Sequence, residues 1–274
     1  MHGLTKTAIF ANSKGGVGKS TIALLMSLGL ATRHSDSKIE LIDLDPQATS
    51  SDSLRRFANR RFTVVQDESF FLGNGFPNNS KIINHIESKV SFKHNSNYMV
   101  FDSPAGSDPA RSAFFLSCDI IFVPTSVSDA DIFATKKFLD SLDELFKSEA
   151  GISSGKPPSV VILPTMVDSR DEFNELRTVL AHAPAYLGKP LYYSPLFRRA
   201  FRAEANDKNV RDLLLESADY IQWLTHLFVH SHTIKQRPKD VLVQGPVTYT
   251  ALRNVQHPRC RPLAECGALT TAER

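Results

Sequence analysis

Short apolar runs rich in β-branched residues alternate along the chain with longer amphipathic stretches. Six runs read as strands, over residues 7–11, 39–44, 62–66, 98–102, 120–124 and 159–164. Several are apolar at every position, the pattern of a strand covered on both faces of a parallel sheet. Helices are predicted over 18–33, 50–59, 80–90, 130–149, 172–182 and 210–229. In the last, Leu213, Leu214, Leu215, Ala218, Ile221, Leu224 and Leu227 form a stripe near the 3.6-residue period. Repeated strand–helix–strand order predicts right-handed crossovers, hence an α/β fold with a doubly wound, mainly parallel sheet between two helix layers. Two stretches break the rhythm. Residues 67–79 are rich in Gly, Pro and Asn with three phenylalanines, either an insertion packed on the body or a contact loop. Beyond His230 no period is sustained, so one domain is predicted over 1–230, with 231–274 a disordered or loosely attached tail.

Composition sharpens this picture. At 274 residues, 42% hydrophobic and 22% charged, the chain is globular in character and needs no disulfide or metal to fold. Cys118, Cys260 and Cys266 have no metal-ligand spacing, as expected in a reducing cytoplasm. No apolar run is long enough to span a membrane, and the start lacks a signal-peptide core, so a cytoplasmic protein is expected. The net charge is +3, with +4 on residues 231–274 and −1 on the rest. A basic tail on a neutral body permits contact with a polyanion without requiring it.

The densest chemistry follows the first predicted strand: Asn12-Ser13-Lys14-Gly15-Gly16-Val17-Gly18-Lys19-Ser20-Thr21. Glycines let backbone N–H groups crowd around phosphate oxygens, and the N-terminus of the next helix adds partial positive charge. Lys19 is placed to neutralise the β- and γ-phosphates and the Ser20 hydroxyl to ligate Mg²⁺. Ser13 stands where the general phosphate-loop pattern has glycine, and a second lysine, Lys14, lies too early to share the task of Lys19. This KGGVGKST run resembles the deviant Walker A motif of the ParA/MinD family of ATPases. The resemblance implies that residues 14–21 bind ATP with Mg²⁺, and that Lys14 reaches across a dimer interface to the partner's nucleotide.

The acidic positions follow the same plan. Asp43 and Asp45 end the second predicted strand, ahead of Pro46, where open α/β sheets bind ligands. That segment resembles the family's second motif, which implies that Asp45 orients or activates water while Asp43 supports the metal shell; helix capping by Asp45 is the bland alternative. Residues 98–102 form an apolar strand closed by Asp102, a Walker B pattern implying that Asp102 holds Mg²⁺ through water. Residues 163–170 resemble a ParA-branch segment, so Thr165 and Met166, with Pro195, are implied adenine contacts; turn punctuation is the alternative.

Arg198, Arg199, Arg202, Lys208 and Arg211 cluster after Pro195. The ParA branch uses basic residues near here to bind DNA without sequence preference, whereas a solvated basic face is the plain reading. His226 and His230 have i, i+4 spacing but no following carboxylate, so a surface cluster is expected. Two classes of function remain. The first is an ATPase switch for DNA segregation or positioning: a homodimer with sandwiched ATP, nucleoid-bound through non-specific DNA and released by hydrolysis that a ParB-like or other partner stimulates. The second is a metabolic or electron-transfer ATPase, disfavoured because Cys118 alone cannot bridge a cluster between subunits. A MinD-like membrane-surface ATPase needs a C-terminal amphipathic helix, which Pro238, Pro246, Pro258 and Pro262 interrupt.

Overall fold

The computed structural model describes residues 5–46, 51, 55, 58, 62–90, 96–200 and 207–231, with the backbone alone at 90, 198–200 and 207. Its strands are β1 (Thr5–Phe10), β2 (Lys38–Asp43), β3 (Phe62–Val65), β4 (Asn97–Asp102), β5 (Ile120–Thr125), β6 (Ser159–Val167), β7 (Tyr186–Leu187) and β8 (Leu191–Tyr192). They form one sheet in the order β3-β2-β4-β1-β5-β6-β7, with β8 also on β6, and every strand pair is parallel. The described helices are α1 (Lys19–Arg33), α2 (Asn79–Val90), α3 (Asp129–Lys147), α4 (Glu149–Ser153), α5 (Arg170–Val179), α6 (Pro195–Ala200), α7 (Asp207–Glu216) and α8 (Ala218–Val229). The doubly wound α/β expectation is met.

Continuous apolar runs give buried central strands: β4 and β5 are buried at all positions. Alternate residues feed two cores. Ala8 and Phe10 of β1 face one with α1 and α8, while Ile9 faces the other with α2 and α3. Each fully buried phenylalanine contributes on the order of 1.5–3 kcal/mol of burial. Helix α1 lies close to α8 because Gly29 leaves room; a Cβ there would sit 2.2 Å from Ile221 Cγ2. Loop 67–79 packs on the body, with Phe70 buried against the edge of His85.

Several boundaries differ from expectation. The helix predicted to Glu149 stops at Lys147, because Ser148 closes it and its hydroxyl caps α4 by accepting from Gly151 N. The stripe over 210–229 is divided at Ser217 into α7 and α8. Strand β6 runs three residues further than predicted, to Val167. The helix expected over 50–59 and the tail 231–274 lie outside the described residues, apart from isolated positions.

Candidate functional site

At the carboxyl edge of the sheet, β1 sits between β4 and β5, where the winding direction reverses. Register sets Asp43 beside Asp102 on adjacent strands, with Phe10, the last residue of β1, on the far side of Asp102. The chain leaving β1 at Ala11 therefore enters an acidic crevice at a topological switch point.

The loop from 12 to 18 is shaped for an anion. Gly16 and Gly18 have φ of 77° and 88°, a left-handed backbone that side chains disfavour. Gly18 opens α1 without a side-chain cap, and no acidic residue occupies its first turn. Its first N–H groups are thus not answered by a capping side chain. A cavity of ≈ 270 Å³ opens here, lined by Gly15, Gly16, Gly18, Lys19, Ser20, Thr21, Asp45, Ser103 and Ala105. Ser103 Oγ in its wall is buried with no hydrogen-bond partner among the described residues, a polar atom that a bound oxyanion or water would satisfy.

Lys19 is buried, and its Nζ donates to the Lys14 carbonyl at 2.8 Å. Burial pushes its pKa below the usual lysine range, against the upward pull of Asp102 and Asp45. Lys14 is different: its side chain is 47% exposed and its Nζ lies 3.7 Å from Asp131 Oδ1 on α3.

The acids divide their work. Asp43 is buried, and its oxygens accept the N–H of Asp45 at 2.9 Å and of Ser51 at 2.8 Å. Burial pushes its pKa up, opposed by those two bonds. Each oxygen accepts a backbone N–H, so Asp43 braces the turn that presents Asp45. Asp45 lines the cavity, half-buried; Asp102 is buried beneath it, near enough to act on Lys19.

The Thr165 hydroxyl is buried within hydrogen-bond reach of Val17 O at 3.0 Å and Thr125 O at 3.1 Å, so it braces the loop after β1 from β6. Met166 beside it has φ 54°, unlike the other described non-glycine residues, and is 39% exposed. Tyr193 N bonds Val167 O at 3.0 Å, which stitches the Pro195 loop to the same strand end; Pro195 is exposed at the start of α6. That bond brings the segment of Pro195 close to the strand end that carries Met166.

Of the basic cluster, Lys208 and Arg211 are exposed three residues apart on α7, on one helix face. Arg198 and Arg199 lie on α6 with side chains outside the description, and Arg202 lies outside the described residues. His226 and His230 bring their rings to 4.4 Å, half-buried, and among the described residues no group of three metal-ligating side chains forms. Sequence reading missed Asn12, Thr125, Thr135 and Asp131. The available signals were a polar residue directly after a buried strand, and a lone hydroxyl on the apolar stripe of α3.

The CobQ/CobB/MinD/ParA nucleotide binding domain matches residues 8–209. The chain belongs to that family. Within it, the chain is 25% identical over 146 residues to maintenance of carboxysome distribution protein A from Halothiobacillus neapolitanus, covering 52% of this chain and 60% of that protein, less than two thirds of its length. Apo McdA from Cyanothece superposes with a TM-score of 0.62 at 16% identity, over 83% of this chain and 99% of that one. The pNOB8 ParA bound to nonspecific DNA superposes with a TM-score of 0.54 at 14% identity, over 84% of this chain and 99% of that one. These two likenesses are of fold. The cavity built on Gly15–Thr21 lies within the span that matches the family's nucleotide binding domain. No helix among the described residues is long and apolar enough to cross a membrane.

Proposed function

We propose that the chain is an ATP-driven dimerising switch that positions or segregates a cargo by binding DNA non-specifically in its ATP state. One observation carries the reading: of two lysines on one loop, Lys19 is enclosed at the cavity and Lys14 stands half-exposed outside it. The enclosed cation suits the nucleotide of its own subunit; the exposed one suits a neighbour's.

In this mechanism Lys19 leaves the Lys14 carbonyl for the β- and γ-phosphates, and the first-turn N–H groups of α1 bind their oxygens. Ser20 and Asp102 fit a hard divalent cation held largely by phosphate oxygens and water. Mg²⁺ there would neutralise charge developing on the transferring phosphoryl group. Asp45, fixed by Asp43, orients the attacking water, and Lys14 of a second copy adds a cation in trans. Met166 and Pro195 border the base. Lys208 and Arg211, with the arginines at 198, 199 and 202, supply phosphate contacts to DNA. The carboxysome-distribution relative and the DNA-bound fold relative support a positioning role on such a matrix.

Light scattering with and without ATP and Mg²⁺, with random-sequence DNA and anionic liposomes as alternative matrices, tests the reading. An ATP-dependent dimer that binds DNA with a steep salt dependence is expected, and Lys14→Ala should bind ATP yet stay monomeric. A chain that stays monomeric with ATP removes the sandwich; retention on liposomes alone moves the matrix to the membrane surface.

A further inference from the structure

Asn12 is fully buried, and all its side-chain polar capacity is directed at two parts of the molecule. Its Nδ2 donates to Pro124 O at 2.8 Å and to Thr135 Oγ1, on α3, at 2.9 Å. Its Oδ1 accepts the backbone N–H of Lys14 at 3.2 Å. The Lys14 carbonyl in turn holds Lys19 Nζ at 2.8 Å. Thr135 is itself fixed, donating to Thr125 Oγ1 at 2.9 Å.

The same residue is thus gripped by Asn12 at its N–H, while its carbonyl, in the next peptide unit, holds Lys19. Helix α3 also reaches the side chain of Lys14 through Asp131. A buried chain of hydrogen bonds has two discrete states, made or broken, and so transmits position better than an exposed contact does.

The geometry points to Asn12 as a positioning residue: it ties the loop that carries both lysines to helix α3, so that nucleotide affinity reads where α3 sits. The inference rests on the nucleotide reading above and adds a regulatory input to it. A partner or second copy that shifts α3 breaks the Thr135–Asn12 bond and releases the Lys14 N–H, so the loop backbone that surrounds the phosphates loses its shape. Neither Asn12 nor Thr135 lines the cavity, so both act through Lys14.

The test is a double-mutant cycle in the full chain, with ATP and ADP affinities measured by calorimetry well below the melting transition of each variant. Asn12→Ala should weaken ATP binding about tenfold, as expected for a buried hydrogen-bond donor and acceptor lost together. Thr135→Val, which keeps the volume, should weaken it about threefold or more, and Thr135→Ser, which keeps the hydroxyl, should match the wild type. The double variant Asn12→Ala/Thr135→Val should bind no worse than Asn12→Ala alone, because Thr135 acts through Asn12. Effects that multiply would overturn the relay. So would variants that melt earlier yet bind ATP like the wild type, which would make Asn12 a structural residue only. A wild-type chain that binds no ATP overturns the nucleotide reading itself, a result distinct from wild-type binding that Asn12→Ala leaves unchanged.

Discussion

Two lysines five residues apart on one loop meet opposite environments. Lys19 is 6% exposed, its ammonium resting on the Lys14 carbonyl. Lys14 is 47% exposed at its side chain and touches one carboxylate at 3.7 Å. The left-handed glycines at 16 and 18 separate them: the backbone reverses there, so one side chain turns into the crevice and the next cation upstream turns out. Burying a charge costs stability unless a partner is installed, whereas an exposed ion pair contributes at most about 1 kcal/mol. The loop thus holds one cation at a cost for the subunit's own ligand and keeps the other nearly uncommitted.

The largest effect that could break this contrast comes from Lys19→Ala. It should lower ATP affinity by about a hundredfold or more, since it deletes a charge-assisted contact to phosphate. Melting of the free protein should stay equal or rise, because a partly desolvated charge is removed. Calorimetry and thermal denaturation read both, and ATP affinity equal to wild type would make the two lysines equivalent.

Titration gives the next effect. Burial holds the folded Lys19 pKa below its unfolded value of 10.5, so at neutral pH the ammonium subtracts from stability. That loss fades as pH rises through the folded pKa, and free-protein stability should rise in the alkaline window below 10.5. Bound phosphate favours the charged form and raises the pKa again. ATP affinity should therefore fall up to about tenfold per pH unit in that window, with proton uptake on binding seen as a dependence of calorimetric heat on buffer ionisation. Affinity flat across the window would mean that burial does not govern the Lys19 ammonium.

The sheet was legible because its strands are buried on both faces and write themselves as unbroken apolar runs. The phosphate loop was legible because only glycine tolerates the backbone at 16 and 18, and the lysine that follows opens a helix. Strands β7 and β8 were not legible; two residues cannot carry a period. The divisions at Ser148 and Ser217 were hidden because the apolar stripe continues across each break while the helix axis does not. The bracing role of Thr165 was not legible, because its hydroxyl partner Val17 O is 148 residues away in the sequence. Asn12 and Thr135 are 123 residues apart and meet only because β5 lies beside β1.

The smallest effect sharpens the other half of the contrast. Asp131 also accepts a short hydrogen bond from Ser126 Oγ, and its N–H is capped by Ser128 Oγ at 3.3 Å. Asp131→Asn therefore keeps the helix start and an acceptor for Ser126 while removing the charge opposite Lys14. Free-protein stability should change by less than about 1 kcal/mol, since Lys14 is half exposed although Asp131 is not. Released from its one ionic contact among the described residues, Lys14 should reach a second copy more readily, so the ATP-dependent dimer should form at about two- to fivefold lower protein concentration. The gain should shrink as salt rises towards 0.5 M, roughly where the screening length falls below the separation of surface charges. Dimerisation unchanged at low salt would show that Asp131 does not restrain Lys14 at all. Weaker dimerisation would place Asp131 on the joined surface, acting on the partner copy and not on its own loop.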